Sequence, residues 1–306
     1  VFRHEALLYA GVDGFLAGTL PFVRAGLEAG EPTLVIVGAE KIELLRGELG
    51  RDARRVAFTD MARAGVNPAR LIPAWRDFVV EHGGSGRPVR GVGEPIWAER
   101  TPGELVECQR HEALLNLAFA DDPPLHLLCP YDVEGLDPLV VEEAHRSHPT
   151  VVCGGVRRPS ERYRAPEAVA APWAEPLPEP AGPVRELAFD VDTLGDVRRF
   201  AATMAADARL SVVRAGDLVL AVHELVSNSV RHGGGGGVLR AWREGDALVC
   251  EVRDGGHIAE PLAGRRRPGT EQVGGHGLWL VNQLCELVQV RSSAAGSAVR
   301  VHMRCP

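Results

Sequence analysis

A chain of 306 residues with a formal net charge of -7 is long enough for two domains, each able to bury a core. The acidic balance argues against general nucleic-acid binding, and no apolar run reaches the roughly 18 residues of a membrane span. Neither a nucleic acid nor a bilayer is therefore an expected direct partner. The six cysteines, Cys108, Cys129, Cys153, Cys250, Cys285 and Cys305, are dispersed without a C-x-x-C pair, which fits reduced thiols and a cytoplasmic location better than a disulfide framework.

The opening VFRHEALLYAG has no charged region followed by an apolar core and a small-residue cleavage site, and it reads as the start of a domain. From Phe2 to about Gly155, helical stretches such as GFLAGTLPFVRAGLEAG lead into short apolar runs. TLVIVG (33–38), RVAF (55–58), PVRGVG (88–93), LHLLCPYD (125–132) and TVVCGG (150–155) read as buried strands. Helices between such strands predict a parallel α/β sheet, with Gly11, Gly14 and Gly30 as turn glycines. The helix-into-strand opening resembles RecA-like ATPases, but no G-x-x-x-x-G-K-[ST] phosphate loop occurs, so Walker chemistry is not expected here.

The hexapeptide RHEALL stands at Arg3–Leu8 and again at Arg110–Leu115. Its flanks do not extend the match into a repeat period, so a solenoid is rejected and two helices with similar packing are expected. The second copy also creates His111-Glu112-x-x-x-Asn116, a spacing that recurs from His223 to Asn228. No Asp-x-Gly and no glycine-rich helix start follow Asn116, so this copy is not read as a nucleotide site. A phospho-accepting His111 is disfavoured for want of a paired dimerisation hairpin. Cys108 with His111, or His145 with His148, would bring metal ligands together on a helix. With no third or fourth ligand to name, a hydrogen-bonded histidine is the preferred reading of each pair.

Taken together, RHEALLYAG, ERTPGELVECQRHEALLNLAF, LLCPYD and SHPTVVCGG resemble the MEDS sensory domain over roughly residues 2–155. That resemblance implies a sensor of an unidentified small molecule, with His4, Tyr9, Trp97, His111, Tyr131 and His148 as candidate pocket residues. The expected boundaries are 1–156 for this domain, 157–183 for a Pro/Ala-rich linker and 184–306 for a second domain. Alternating Pro and Ala should keep the linker extended, with Trp173 as a docking anchor, or leave it a disordered spacer.

In the second half, VRELAFDVD reads as a strand and LGDVRRFAATMAADARL as a helix. A second helix runs to HELVSNSVRHG (223–233), placing Glu224 and Asn228 four apart on one face and Gly233 just past its end. VLRAWREGDALVCEVRDGG is strand, turn at Glu244-Gly245-Asp246, strand, ending at Asp254-Gly255-Gly256. Gly274-Gly275-His276-Gly277-Leu278 then opens another helix, whose backbone N–H groups suit phosphate. LVQVRSS and AVRVHMR close the chain as a strand pair around Ala294-Ala295-Gly296. Helices on one face of a mixed, mostly antiparallel sheet make a two-layer α/β sandwich.

The order of these pieces resembles the GHKL ATPases, with N-box, G1 and G2 motifs in sequence, and within them the anti-sigma-factor serine kinases of partner-switching systems. The resemblance implies ATP and Mg²⁺ as cofactors, a sigma factor and an anti-anti-sigma (STAS-type) protein as partners, and admits a homodimer. It assigns Asn228 to Mg²⁺, Glu224 to the general base, Asp254 to the adenine amino group and Gly256 to its close approach. Gly275 and Gly277, with His276 and Leu278, border the phosphates, and Ser297 stands where the family often has Thr. His232 takes a structural role. His276 departs from the Arg that these kinases often carry, which weakens the case for phosphoryl transfer more than for nucleotide binding. Arg265, Arg266 and Arg267, in the short segment between the glycine motifs, read as a solvated patch or as phosphate or partner contacts. Two alternatives to the kinase stand beside it: a non-catalytic, ATP-dependent partner-binding switch and a histidine-kinase-like sensor enzyme.

Overall fold

The computed structural model describes residues 2–120, 125–165, 175–269 and 275–306, and the chain divides into two compact units, Val1–Ala170 and Ala171–Pro306. Trp173 and Gly274 lie outside the described residues.

The first unit runs β1 (Arg3–Tyr9), α1 (Gly11–Glu28), β2 (Thr33–Val37), α2 (Ala39–Leu49), β3 (Val56–Asp60), α3 (Met61–Ala64), α4 (Leu71–His82), β4 (Val89–Gly93), α5 (Pro102–Ala118), β5 (Leu125–Asp132), α6 (Pro138–Ser147), β6 (Thr150–Cys153) and β7 (Val156–Pro159). Its sheet has the order β3-β2-β4-β5-β1-β6-β7. Every pairing is parallel except that of β6 with β7. Alternation along the strands divides the core between the two faces. Leu7, Tyr9, Val92 and Leu128 pack with Phe15 and Val23 of α1 and Leu45 of α2. On the opposite face Gly91 and Gly93 admit Trp75 of α4, whose ring would stand under 3 Å from a Cβ at either position.

The two RHEALL copies do not both form helices. The first is the central strand β1 and the second lies inside α5. Context decides between them. The second copy sits in a helix of 17 residues started by Pro102 and a capping box, Thr101 with Glu104, so nucleation is stabilised and the helix propagates through it. The first copy is closed off at Ala10-Gly11 after seven residues, too few for a stable helix, and hydrogen-bonds β5 on one side and β6 on the other. Residues 157–159, expected in the linker, extend β7 and pair with β6.

The second unit runs β8 (Arg185–Asp190), α7 (Leu194–Asp207), α8 (Val212–His232), β9 (Gly236–Glu244), β10 (Ala247–Asp254), α9 (His276–Leu284), β11 (Leu287–Ser293) and β12 (Gly296–Arg304). The sheet order is β11-β12-β10-β9-β8 with all pairs antiparallel. One face packs on the helices through Leu239, Leu248, Val252 and Val301 against Val197, Leu218, Val222 and Val281. The other face is charged. The fully buried Glu251 accepts hydrogen bonds from Arg240 at 3.0 Å, Arg253 at 2.6 Å and Arg300 at 2.9 Å. Part of the expected linker covers this face: Leu177 is buried, the Pro178 carbonyl accepts from Arg300 and Glu179 pairs with Arg240 and Arg253. A proline-rich segment forms no ladder, but the Pro178 carbonyl and the Glu179 carboxylate accept hydrogen bonds from three guanidinium groups.

Candidate functional site

Helix α8 begins at Ser211, whose hydroxyl accepts the Arg214 N–H, and ends at Gly233, whose N–H bonds to the Ser229 carbonyl. Its apolar stripe, Leu218, Ala221, Val222, Leu225 and Val226, is buried against the sheet, and this fixes the rotation of the helix. Arg214 ties the first turn down by bonding Asp217 and the Leu284 carbonyl and by pairing with Glu286. Asn228 and Ser229 are thereby held at the end of β10, where Asp254 stands.

Asp254 is the centre of a fixed polar cluster. Its Oδ1 accepts from the Gly256 N–H and the Ser297 hydroxyl, both at 2.8 Å, and its Oδ2 accepts from the Ser229 hydroxyl at 2.5 Å. A carboxylate offers about four acceptor positions, so one remains for an exocyclic amine. The glycines around it are required by contact. A Cβ on Gly233 would lie 2.5 Å from the Asp254 Cγ, and one on Gly256 would lie 2.8 Å from the Gly233 Cα and the His232 carbonyl.

At the opposite end Gly275 caps α9 in the left-handed region at φ 81°, a conformation glycine adopts without strain. A Cβ on Gly277 would fall 2.9 Å from Glu224 Oε2 and 3.0 Å from Asn228 Nδ2. The absent side chain is therefore what leaves room between the acidic face of α8 and the N-terminus of α9. A cavity of about 610 Å³ joins the two ends and is lined by Asn228, Asp254, Gly256, Gly275, Gly277, Leu278 and Ser297, with Ile258, Leu262 and Val299 as apolar walls. Its volume is in the range of small-molecule and cofactor sites. His232 also lines it, whereas Glu224 and the exposed His276 do not.

The donor set fits Mg²⁺ with a nucleotide. Asn228 offers a hard oxygen, as Mg²⁺ prefers, and the α9 N-terminus with its glycines suits phosphate. Ser229, Ile258 and Leu262 were not foreseen. A hydroxyl next to the N-box asparagine was the available signal for Ser229, but nothing local says that it reaches a residue 25 positions away. The three arginines separate: Arg265 is buried, Arg266 lines the cavity and Arg267 stands over Trp279.

In the first unit the six pocket residues fall in two places. Tyr9 and Trp97 lie near the carboxyl ends of the strands. There Lys41 Nζ donates to Glu94 Oε1 and to the Tyr9 hydroxyl, which itself donates to Glu94 Oε1, each at 2.6 Å. Burial pushes the Glu94 carboxyl up, against the opposing Lys41 charge. Burial and Glu94 push the Tyr9 phenol up, so it stays a donor. Lys41, Glu94 and Trp97 border a cavity of about 400 Å³ with Asp60 and Gly38, at the strand ends where open α/β sheets bind ligands.

His4, Tyr131 and His148 lie instead on the α4–α5 face, buried with Glu112 and Cys129. His111 borders this group from α5. Asn116 is one turn from Glu112, and the two grip His4: Nδ1 lies 3.1 Å from Asn116 Oδ1 and Nε2 lies 3.1 Å from Glu112 Oε2. Burial, then the facing His148, lowers His4 to about 4. Burial works to raise Glu112, but the His148 and His4 rings beside it hold it well below the ordinary carboxylate range. Of the helix pairs considered for metal, Cys108 donates to the Pro95 carbonyl at 3.3 Å, and neither it nor His111 belongs to the cluster of ligand atoms around His4. His145 lies outside the cluster that contains His148.

Among the described residues no helix is long and apolar enough to cross a membrane. Residues 3–149 match the MEthanogen/methylotroph, DcmR Sensory domain (MEDS), and residues 187–303 match the Histidine kinase-like ATPase domain. No curated protein matches the chain. Among solved structures, the RsbU and RsbW domains of Rv1364c from Mycobacterium tuberculosis align at 21% identity and TM-score 0.32, covering 40% of this chain and 33% of that one. The Acinetobacter baumannii histidine kinase AdeS aligns at 11% identity and TM-score 0.25, covering 40% and 69%. The chain spans about a third of the length of the first, and neither overlap carries an argument about activity. The two family matches identify the segments: residues 3–149 belong to the MEDS sensory domains and residues 187–303 to the histidine kinase-like ATPase domains.

Proposed function

We propose that the second unit is a Mg²⁺-dependent ATP-binding regulator of the anti-sigma type, working under control of a small-molecule sensor in the first unit. In this reading it acts in the cytoplasm, holds a sigma factor inactive, and phosphorylates a Ser or Thr of an anti-anti-sigma partner. The observation that carries the nucleotide part is the single cavity that joins Asp254, with one acceptor position left, to Asn228 beside the glycine-rich start of α9. Adenine amine, Mg²⁺ and phosphates need those three features in that order. Bound Mg²⁺ would supply charge neutralisation at the phosphates. Glu224 would accept the proton of the attacking hydroxyl as that oxygen bonds the γ-phosphorus and ADP leaves.

One observation favours the non-catalytic switch. His276 is exposed and outside the cavity lining, so no fixed cation from this position meets the γ-phosphate. Incubating the protein with labelled ATP and candidate anti-anti-sigma proteins separates the two. Label on a partner Ser or Thr, lost in Glu224→Ala, supports the kinase. No label, with ATP-dependent sigma-factor binding intact, supports the switch.

A further inference from the structure

Four side chains from four segments of the first unit converge on one point: His4 of β1, Glu112 of α5, Cys129 of β5 and His148 just past α6. Their ligand atoms all lie within 4.8 Å of one another, and all four residues are buried. His4 Nε2 lies 3.1 Å from Glu112 Oε2 and 3.4 Å from Cys129 Sγ, and His148 Nε2 lies 3.2 Å from the same carboxylate oxygen.

The hydrogen bonds outside this group decide which atoms face it. Asn116 Nδ2 donates to the Ser147 carbonyl at 2.8 Å, which fixes the amide and turns its oxygen to His4 Nδ1. His4 Nδ1 therefore carries the proton. His148 Nδ1 lies 2.9 Å from the Ala144 carbonyl, and the Ser147 hydroxyl beside it donates to the Glu143 carbonyl, so this Nδ1 is also the N–H. With Nδ1 of each ring turned to an outside carbonyl oxygen, the Nε2 atoms of both rings are left facing the carboxylate. Two ring nitrogens, a carboxylate and a thiol thus meet in a buried cluster. His148 Nε2 is out of line for a hydrogen bond to Glu112, and Glu112 Oε1 has no hydrogen-bond partner. Buried acceptors facing one another are unfavourable unless a proton or a cation lies between them.

We propose that His4, Glu112, Cys129 and His148 form a closed, four-coordinate site for a zinc-class divalent cation, which ties β1, β5, α5 and α6 together. Bond lengths of about 2.0–2.3 Å in tetrahedral geometry place ligand atoms about 3.3–3.8 Å apart, so the observed 3.1, 3.2 and 3.4 Å separations need only small adjustment. One thiolate and one carboxylate cancel the charge of a divalent ion, leaving the buried site neutral when the thiol proton is released to solvent on binding. The mixed nitrogen, sulfur and oxygen donors suit zinc rather than Mg²⁺ or Ca²⁺. Both histidines carry the outer-shell carbonyl acceptors that orient metal-bound imidazoles. The proposal also gives the second RHEALL copy a purpose, since its Glu112, with Asn116 one turn on, grips the histidine of the first copy.

The test is the metal content of the full chain purified without added metal, followed by Co²⁺ titration of the stripped protein. The expected results are about one zinc per chain and a thiolate-to-cobalt charge-transfer band that Cys129→Ser removes and Cys108→Ser leaves. Asn116→Ala, which removes the outer support of His4 and the bond to the Ser147 carbonyl but no ligand atom, should weaken Co²⁺ binding about 10–100-fold with the far-ultraviolet dichroism unchanged. Wild-type protein without bound transition metal and without a cobalt band would overturn the proposal and leave a hydrogen-bonded cluster. So would a cobalt band that survives Cys129→Ser, because the metal would then sit elsewhere.

Discussion

Gly277→Ala should separate folding from binding in opposite directions. Gly277 lies at the second position of α9 with an ordinary backbone, since it is not among the glycines of positive φ. Alanine there gains up to about 1 kcal/mol of helix propensity, which for a domain of this size raises Tm by a few degrees at most. The new methyl would sit 2.9 Å from Glu224 Oε2 and 3.0 Å from Asn228 Nδ2. Both are ends of flexible side chains, so they rotate away at little cost to folding. What they lose is their position. A displaced Mg²⁺ ligand and a methyl filling the phosphate end should cost about 1.5–3 kcal/mol of binding, roughly 10–100-fold in Kd. Calorimetric titration with Mg·ATP, beside a melting curve of the same preparation, reads both quantities. A folded variant whose ATP affinity stays within twofold of wild type would refute the placement of the phosphates against α9.

Asp254→Asn should lower ATP affinity at least about tenfold by disturbing a charge-assisted acceptor. It should also narrow the preference for ATP over GTP, whose O6 would face the carboxylate; competition between the two nucleotides measures this. If wild type labels a partner, Glu224→Ala should reduce transfer about 10²–10⁴-fold while ATP affinity holds within a few-fold, which a single-turnover assay resolves. Glu251→Ala leaves three arginines around a missing buried carboxylate and should cost about 3–5 kcal/mol in urea unfolding; a loss below about 1 kcal/mol would mean that the cluster is solvated. In metal-free protein, His4 is lowered from 6.5 to about 4, so the unfolded chain binds the extra proton first. Stability should be full above pH 6.5 and fall by about 3 kcal/mol as pH drops toward 4, and His4→Gln should flatten that slope.

The second unit was largely legible because its chemistry is local. Asn228 and Glu224 share a helix face, Asp254 ends a strand and Gly275–Gly277 start a helix, and the sheet only has to bring these ends together. The first unit was legible as alternating helices and strands, but not at β1. Ala-Leu-Leu suits a buried strand and a buried helix equally, and only the capping box at Thr101 and the stop at Gly11 separate the two copies. The buried cluster was illegible for a different reason. Positions 4, 112, 129 and 148 share no spacing, and parallel pairing of β1 with β5 is what places His4 near Cys129. The six sensory residues were grouped by residue type, while strand alternation sends Tyr9 to one face and His4 to the other.

The account rests on ATP binding at Asn228, and the matched pair Asn228→Ala and Asn116→Ala in the full chain tests it most directly, because both asparagines sit in the same H-E-x-x-x-N spacing. Titration with ATP in the presence and absence of Mg²⁺ should show one site per chain in wild type, loss of the Mg²⁺-dependent affinity in Asn228→Ala and no change in Asn116→Ala. Unchanged binding in Asn228→Ala, or equal losses in both variants, would contradict it.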